Sequence, residues 1–306
     1  MGGVLSFVLP EAFLNVKTHT SIREFLMREN SISYIEYLGD VFDGVQCPSI
    51  IIQITRTSNS LSTKGLRVVT KNSDFVIQTE WDLDSQCFSF LMNDDEYKLI
   101  CKISNIENKV TLKDNSIFAL GIVTGDNSRF ITSEHTKENE LILKGADISK
   151  FKYKNSGNYI KFVPEEFQQV APVEVYRAEE KLFYKFISNK LVFAYDNRQT
   201  LSLNSCNILI PQIDGLSIKY VMAILNSKVA QFFFAKQFNS IKVLRFHLEQ
   251  IPIPFASQNE QIEIEKLVDE ILSSNDENYQ NLCENLDDRI CDLYGLTEDE
   301  RMLLLS

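Results

Sequence analysis

The chain has 306 residues, of which 44% are hydrophobic and 24% are charged. This balance is ordinary for a soluble globular protein, and the length leaves room for about two domains. No apolar run approaches the roughly 20 residues that cross a bilayer, so we expect no membrane segment. The six cysteines are scattered without a Cys-x-x-Cys pair, and there are three histidines. This pattern predicts no metal site, and it predicts reduced cysteines in a cytoplasmic protein.

The net charge of −11 is concentrated at one end of the chain. Residues 258–306 contain 14 acidic and 3 basic side chains and so carry the whole of that charge, whereas residues 141–250 contain 15 basic and 9 acidic side chains. Binding to nucleic acid depends on a local positive field more than on the total charge. The distribution therefore permits DNA binding by the middle of the chain, with the acidic end turned away from phosphates.

The first elements in chain order are a strand, a helix and a second strand. Val4–Leu9 has the composition of a buried strand, and the capping-box spacing of Ser21–Glu24 predicts the start of a helix. Ile32 opens a strand that breaks at Gly39–Asp40, and Ser49–Ile54 resumes as a strand with a nearly continuous apolar core. Strand, helix, strand, corner and strand are typical of the closing part of a doubly wound sheet.

The pattern changes after a polar, turn-rich linker at residues 57–65. Short β-type runs then alternate with loops, which favours an α+β domain of irregular antiparallel sheets. The runs are 66–70, 75–78, 117–123, 159–162, 190–195 and 207–210. Helices are predicted around Tyr176–Leu182 and, with one apolar face, over Ser217–Phe234. A capping box at Ser257–Glu260 opens a helical tail that Gly295 interrupts.

Two groups of segments resemble TaqI-like adenine-specific DNA methyltransferases. Gly39–Phe42 followed by Ser49–Ile52 is similar to the last conserved strand pair of that family's catalytic domain. Further segments are similar to its target-recognition domain, a relative of the recognition halves of type I restriction specificity subunits: 118–131, 143–148, 176–182, 223–228 and 244–254. The resemblance implies that Phe42 stacks on the adenine once it has left the duplex, because a base-flipping enzyme must replace the stacking that the base loses.

Two motifs of that family are absent from this sequence. There is no Pro-Pro pair, and hence no Asn/Asp/Ser-Pro-Pro-Tyr/Phe motif for the adenine amino group, and no Gly-rich loop follows a first strand to bind S-adenosylmethionine. The chain thus resembles the C-terminal part of a longer enzyme. We expect it to bind no cofactor, to hold no catalytic or metal-ligating residue and to be inactive alone, with S-adenosylmethionine bound by a missing N-terminal methyltransferase portion. Any fused nuclease would precede residue 1.

The predicted fold is α+β, with the tail end of a doubly wound methyltransferase sheet followed by an irregular β-rich domain and C-terminal helices. Residues 1–57 are assigned to the end of the catalytic domain, 64–256 to the target-recognition domain and 257–306 to the acidic helical tail. The predicted function is sequence recognition and base positioning for adenine methylation in a type II restriction-modification enzyme. The alternatives are a stand-alone DNA-specificity or adaptor subunit without chemistry, and a protein-interaction module that uses the tail.

The resemblance also implies loops that enter the major groove while lysine and arginine side chains bind phosphates of double-stranded DNA. We expect several of the candidate side chains to lie along one cleft. The candidates are Asn127, Arg129, Lys152, Lys154, Arg177, Lys181, Arg198, Lys242 and Arg245. His247 has no motif partner and is expected to be an ordinary packed or surface histidine.

Overall fold

The computed structural model describes residues 3–45, 47–57, 61–238 and 240–305, and of Asp276 the backbone alone. The chain divides into two compact units, one of Met1–Lys102 with Lys236–Asn239 and one of Ile103–Ala235 with Ser240–Ser306. The first unit therefore extends past the linker predicted at residues 57–65, of which residues 58–60 lie outside the described residues. The assignment of three segments to a catalytic-domain end, a recognition domain and a tail stays a prediction.

The first unit contains a five-stranded sheet. Its elements are β1 (Val4–Pro10), α1 (Thr20–Glu29), β2 (Asn30–Asp40), β3 (Pro48–Arg56), β4 (Arg67–Val69), β5 (Asp74–Val76) and α2 (Asp94–Ser104), the last two residues of α2 being counted in the second unit. The strand order is β1-β3-β2-β4-β5. Because β3 runs antiparallel to both β1 and β2, those two strands are parallel to each other, and α1 connects them. The predicted order of strand, helix, strand, corner and strand is confirmed. The prediction that Val4–Leu9 is a buried strand is wrong, because β1 lies at the edge of the sheet and its side chains are mostly exposed.

Helix α1 contributes a buried arginine to the first unit. Arg23 is fully buried next to the apolar core, in which Ile35, Ile52 and Val68 are also fully buried. Its guanidinium donates hydrogen bonds to the hydroxyl of Thr20 and the backbone carbonyls of Phe13, Val16, Ser85 and Gln86. The helix predicted from Ser21–Glu24 is present, but the predicted capping box is not, because α1 begins at Thr20 and continues from a 3-10 turn with no side-chain cap.

The second unit contains three small sheets and most of the helices. Its strands are β6 (Lys109–Val110), β7 (Ser116–Ala119), β8 (Ile131–Thr132), β9 (Glu140–Leu143), β10 (Tyr159–Ile160), β11 (Lys181–Lys185), β12 (Phe193–Asp196), β13 (Leu201–Ser202), β14 (Cys206–Pro211) and β15 (Ile253–Pro254). Its helices are α3 (Asn127–Phe130), α4 (Val173–Tyr176), α5 (Ile218–Asn226), α6 (Lys228–Phe238, ending in the first unit), α7 (Arg245–Leu248), α8 (Gln258–Ser273), α9 (Asp276–Leu293) and α10 (Glu298–Leu303).

The sheets of the second unit have the orders β12-β11-β14-β7, β13-β9-β10-β8 and β15-β6. Every pairing is antiparallel except that of β13 with β9. The first two sheets share one apolar core, which includes Ile142, Tyr176, Phe183 and Ile208. The predicted α+β fold class, with an irregular and mainly antiparallel second part, is confirmed.

Two predicted helices are corrected by the structure. The helix expected over Ser217–Phe234 is divided into α5 and α6 at Ser227, whose hydroxyl donates to the carbonyl of Ile224 and accepts from the N–H of Ala230. The helix expected around Tyr176–Leu182 is wrong, because α4 ends at Tyr176 and β11 begins at Lys181. β11 pairs on both edges, with β12 and β14, and four of its five residues are buried.

The acidic tail is an integral part of the second unit. α8 packs on α5, and α9 packs on α8. Ile264, Val268 and Ile271 of α8 are buried, as is Ile290 of α9. The predicted capping box at Ser257–Glu260 is present, and Gly295 ends the second tail helix with a φ of +62°.

Candidate nucleic-acid interface

The corner between β2 and β3 carries three exposed apolar side chains in the first unit. Val41, Phe42 and Val45 are 50%, 54% and 57% exposed. Gly44 has a φ of +75°, which side-chain-bearing residues rarely adopt, and the N–H of Val45 donates to the carbonyl of Phe42 at 3.3 Å. This tight turn leaves the Phe42 ring accessible to a flat ligand. Its role as the stacking partner of a flipped base stays a prediction.

A buried ion pair lies in the main sheet of the second unit. Lys181 and Asp196 are direct partners across the antiparallel pair β11–β12, with Nζ 2.6 Å from Oδ2 and both side chains fully buried. Nζ also donates to the carbonyl of Tyr176 at 2.9 Å. Burial lowers the pKa of the Lys181 ammonium, and the Asp196 carboxylate opposes this shift. Because the Lys181 charge is paired inside the fold, its predicted contact with a DNA phosphate is corrected to an internal role.

The loop that follows β12, residues 196–200, presents Arg198 to solvent. Asp196 holds this loop, since its carboxylate accepts from the N–H and the hydroxyl of Thr200 at 3.0 and 2.7 Å. Gln199 has a φ of +57°, and its side-chain amide donates to the carbonyl of Arg177 at 3.0 Å. Within the described part of the chain, the guanidinium of Arg198 makes no hydrogen bond or ion pair. The loop is thus fixed while its cation is available.

The loop of residues 148–154 carries the next two candidates. Lys152 donates to the carbonyl of Ser274 at 2.7 Å and is therefore partly engaged by the tail. The hydroxyl of Tyr153 donates to Oδ1 of Asp196 at 2.7 Å. Lys154 is exposed, and among the described residues its ammonium has no hydrogen-bond or ion-pair partner. This loop too is fastened to Asp196 and presents a free cation.

The two loops border one groove of ≈ 360 Å³. Its lining includes Lys152, Tyr153, Tyr195, Arg198, Lys219 and Asp269. Lys219 of α5, which the sequence analysis did not select, pairs with Asp269 of α8 at 2.6 Å and lies 5.4 Å from the ring centre of Tyr195. The sequence could have indicated Lys219 as a candidate, because it lies on the polar face of the predicted amphipathic helix. The groove therefore combines free and neutralised cations with aromatic residues.

Asn127 and Arg129 lie on α3, a single exposed turn. Asp126 caps it by accepting from the N–H of Arg129, and Oδ1 of Asn127 accepts from the hydroxyl of Thr124 at 2.7 Å. The Arg129 guanidinium stacks 4.7 Å from the ring centre of Phe130 and lies 3.4 Å from a glutamate carboxylate. Both candidates are accessible to a ligand in solvent.

Arg177 is half-buried and connects two loops through hydrogen bonds. Its guanidinium binds the carboxylate of Glu140 through two nitrogens at 2.6 and 2.7 Å, which raises the pKa of Arg177, and it stacks 5.0 Å from the ring centre of Phe162. It also donates to the carbonyl of Gln199 at 3.3 Å. Arg177 thus supports the loop that carries Arg198, and its charge is largely satisfied within the protein.

Lys242 and Arg245 lie beyond the opposite end of β11 from the Lys181–Asp196 pair. The N–H of Val243 donates to a carbonyl just after β11, and Lys242 itself is exposed. Arg245 pairs with a glutamate of its own helical turn at 2.7 Å. Among the nine candidates, the structure brings Lys152 and Arg198 into one groove and places this pair elsewhere.

The described residues hold no group of three or more histidine, cysteine, aspartate or glutamate side chains that could bind a metal ion. In the same part of the chain, no helix combines the length and the apolar composition needed to cross a membrane. The positive-φ glycines of the first unit, Gly39, Gly44 and Gly65, face open space, so they form no close backbone cradle of the kind that binds a nucleotide cofactor. These three glycines, among the described residues, do not fit S-adenosylmethionine.

Comparison with known proteins gives a family match that lies almost entirely in the second unit. Residues 140–253 match the model of the TaqI-like C-terminal specificity domain. The type II methyltransferase M.VspI of Vibrio sp. (strain 343) is 27% identical over 151 residues, which are 48% of this chain and 36% of that protein. The chain thus spans about a third of the length of this relative.

A solved structure shares the fold over almost the whole chain. The Type IIL restriction-modification enzyme MmeI, determined in complex with DNA, superposes with a TM-score of 0.59 at 10% identity, covering 96% of this chain and 47% of that one. Seven of the nine candidate residues lie within residues 140–253, and Asn127 and Arg129 precede them. Residues 140–253 of the chain are therefore similar to a TaqI-like C-terminal specificity domain.

Proposed function

We propose that the chain recognises a sequence in double-stranded DNA and positions the target adenine for methylation within a type II restriction-modification enzyme. The observation that carries this proposal is the match of residues 140–253 to a specificity domain, since that segment contains the two loops with the free cations Lys154 and Arg198. The fold shared with MmeI, which was solved in complex with DNA, supports the same proposal.

The chemistry belongs to a methyltransferase portion that this chain does not contain. That portion supplies the S-adenosylmethionine site and the catalytic motif, and this chain supplies Phe42 and the reading of the site. The outer edge of β1 is the proposed place of attachment. β1 is an edge strand of seven residues without a charge, and Val4, Leu5, Phe7 and Val8 are 47–61% exposed. Exposed edge strands are normally short or charged, so an apolar one of this length fits a sheet that continues into another segment.

DNA binding is tested on the purified chain with a fluorescent duplex over a series of salt concentrations. We expect the logarithm of the affinity to fall linearly with the logarithm of salt concentration, because each phosphate contact releases counterions. Arg198→Gln should lower the slope by about one, whereas Lys266→Gln, a change on the tail helix α8, should leave it unchanged. The absence of any salt-dependent affinity would exclude recognition of DNA and leave a protein-interaction module.

The division of labour is tested by methyl transfer. The chain alone should incorporate no label from S-adenosylmethionine into duplex DNA, and a complex with the methyltransferase portion should do so. Transfer by the chain alone would contradict this division.

All six cysteines are free thiols, which suits the reducing cytoplasm in which we propose that the protein acts.

A further inference from the structure

Asp196 is the meeting point of three segments of the second unit. Its carboxylate is buried and accepts hydrogen bonds from Lys181 of β11, from Tyr153 and from both the N–H and the hydroxyl of Thr200. Lys181 in turn donates to the carbonyl of Tyr176. Every group of this cluster thus has a partner, as a buried charge requires.

Stability alone does not explain a buried pair of this kind. Removing two charges from water costs several kcal/mol per ion, and well-packed apolar side chains are often as stabilising. What the pair does achieve is to connect loops that are far apart in sequence. Through Tyr153 it holds the loop of residues 148–154, and through Thr200 it holds the loop of residues 196–200.

The hydroxyl of Tyr153 is the side-chain link between the two loops, and the backbone of Phe151 also bonds to Phe193 and Tyr195 of β12. It donates to Asp196 at 2.7 Å and lies 3.1 Å from the hydroxyl of Thr200. Burial raises the pKa of Tyr153 to about 12, so the hydroxyl keeps its proton and can donate it near neutral pH. Each loop presents one exposed cation, Lys154 or Arg198, that has no partner among the described residues.

We propose that the buried Lys181–Asp196 pair is a positioning device that, through the Tyr153 hydroxyl, fixes the spacing of Lys154 and Arg198 so that both bind phosphates of one DNA duplex. This inference rests on the proposed function. Asp196 and Lys181 are buried and touch no DNA in this arrangement. They set in advance the geometry that the two cations would otherwise acquire on binding, at a cost in conformational entropy.

The variant that tests this is Tyr153→Phe, which deletes the link and keeps the ion pair and the ring. We expect a thermal midpoint close to that of the wild type and a duplex affinity lowered roughly tenfold, because one loop must be ordered during binding. The matched control is Tyr159→Phe in the same domain, whose hydroxyl accepts only from Asn155 among the described residues. It should bind as the wild type does. Thr200→Val, which removes the hydroxyl bond of this loop to Asp196 and keeps the N–H bond, is the second variant should Tyr153→Phe fold poorly.

A double-mutant cycle separates positioning from general structural damage. If Tyr153 acts through the two cations, Tyr153→Phe should weaken binding far less in an Arg198→Gln, Lys154→Gln background than in the wild type. An additive effect, or wild-type affinity in folded Tyr153→Phe and Thr200→Val, overturns the inference. A wild-type chain with no salt-dependent duplex affinity overturns the proposed function instead, so the two failures are distinguishable.

Discussion

Phe42 is exposed where most phenylalanines are buried. Together with Val41 and Val45 it forms an apolar tip on a turn that is otherwise polar. A lone exposed aromatic ring is ordinary at a protein surface, but a ring fixed by a tight turn at the end of two long strands is well placed for stacking. Sequence reasoning could place the ring at a corner from Gly39 and Gly44, and the structure adds that the ring is accessible.

We predict that Phe42→Ala, in the complex with the methyltransferase portion, weakens stabilisation of the flipped base more than it weakens duplex binding. Stacking of a base on an aromatic ring is worth about 1–3 kcal/mol, and the substitution removes that ring. The measurement is the fluorescence of a 2-aminopurine placed at the target position. Val45→Ala, at an equally exposed position of the same turn, is the control. An equal fluorescence response from Phe42→Ala and wild type would reject the stacking role.

His247 is a packed histidine, one of the two ordinary environments, packed or surface, that its lack of a motif partner predicted. It is 6% exposed, its Nδ1 accepts from the N–H of Leu244 at 3.3 Å, and burial lowers its pKa from 6.5 to about 4. As the pH falls, His247 therefore binds a proton near pH 6.5 in the unfolded chain, but only near pH 4 in the folded chain. The contribution of the neutral His247 to the free energy of unfolding is fully present above pH 6.5. It is lost progressively as the pH falls from 6.5 towards 4.

We predict that the free energy of unfolding is about 2 kcal/mol lower at pH 5 than at pH 7, as measured by urea titration. In His247→Gln the difference between these two pH values should largely disappear, since the side chain no longer titrates. The substitution leaves every other titratable group in place, so both proteins share the same background. If wild type and His247→Gln lost the same stability between pH 7 and pH 5, the buried histidine would not be the cause.

At the scale of elements, the tail helices were predictable and the segment around β11 was not. Capping residues and a stop glycine act locally, so Ser257, Thr297 and Gly295 mark helix ends in the sequence and in the structure. Lys181 begins a strand in a run of charged residues that by itself favours a helix. Pairing with strands on both sides decides its conformation, and that information lies far away along the chain.

Ser227 is a second position at which the local sequence pattern does not determine the structure. The apolar spacing over residues 217–234 continues across it without interruption, so the pattern predicts one helix. The break arises because the serine hydroxyl serves both helix ends, accepting from Ala230 and donating to Ile224. A serine inside a helical pattern can favour either a cap or a continuous helix, and tertiary packing decides between them.

Helix α8 tests whether the tail is part of the fold or an appendage. Ile264 is 2% exposed and Ile262 is 56% exposed, two residues apart on the same helix. We predict that Ile264→Ala lowers the free energy of unfolding by about 2–5 kcal/mol, because it leaves a cavity in the packed core, while Ile262→Ala changes it by less than about 0.5 kcal/mol. Chemical denaturation of the two variants measures this. Similar small losses in both would show that α8 packs only loosely on the second unit.

At the scale of the whole molecule, the distribution of charge along the chain could be predicted from the sequence. The ion pairs that these charged side chains form within the fold could not. The tail carries the net charge of −11, yet part of that charge is used within the second unit. Asp269 pairs with Lys219 at 2.6 Å, and the ammonium of Lys228 lies 4.0 Å from the carboxylate of Asp287. A count of charges along the chain overstates the positive field near the groove, because tail residues neutralise some of the lysines that the count includes.

The exposed edge of β1 gives a prediction for the chain in isolation. An unpaired apolar strand exposes a row of backbone donors and acceptors that another copy can use, so we expect the purified chain to self-associate with rising concentration. Val8→Lys places a charge on this edge at a side chain that is 55% exposed, and it should shift the chain to monomer in sedimentation velocity without lowering the thermal midpoint. Val76→Lys on β5, the three-residue strand at the opposite edge, is the control and should leave association unchanged. If both lysine variants associate as the wild type does, the β1 edge is not a pairing surface, and the attachment proposed there for a methyltransferase portion loses its structural support.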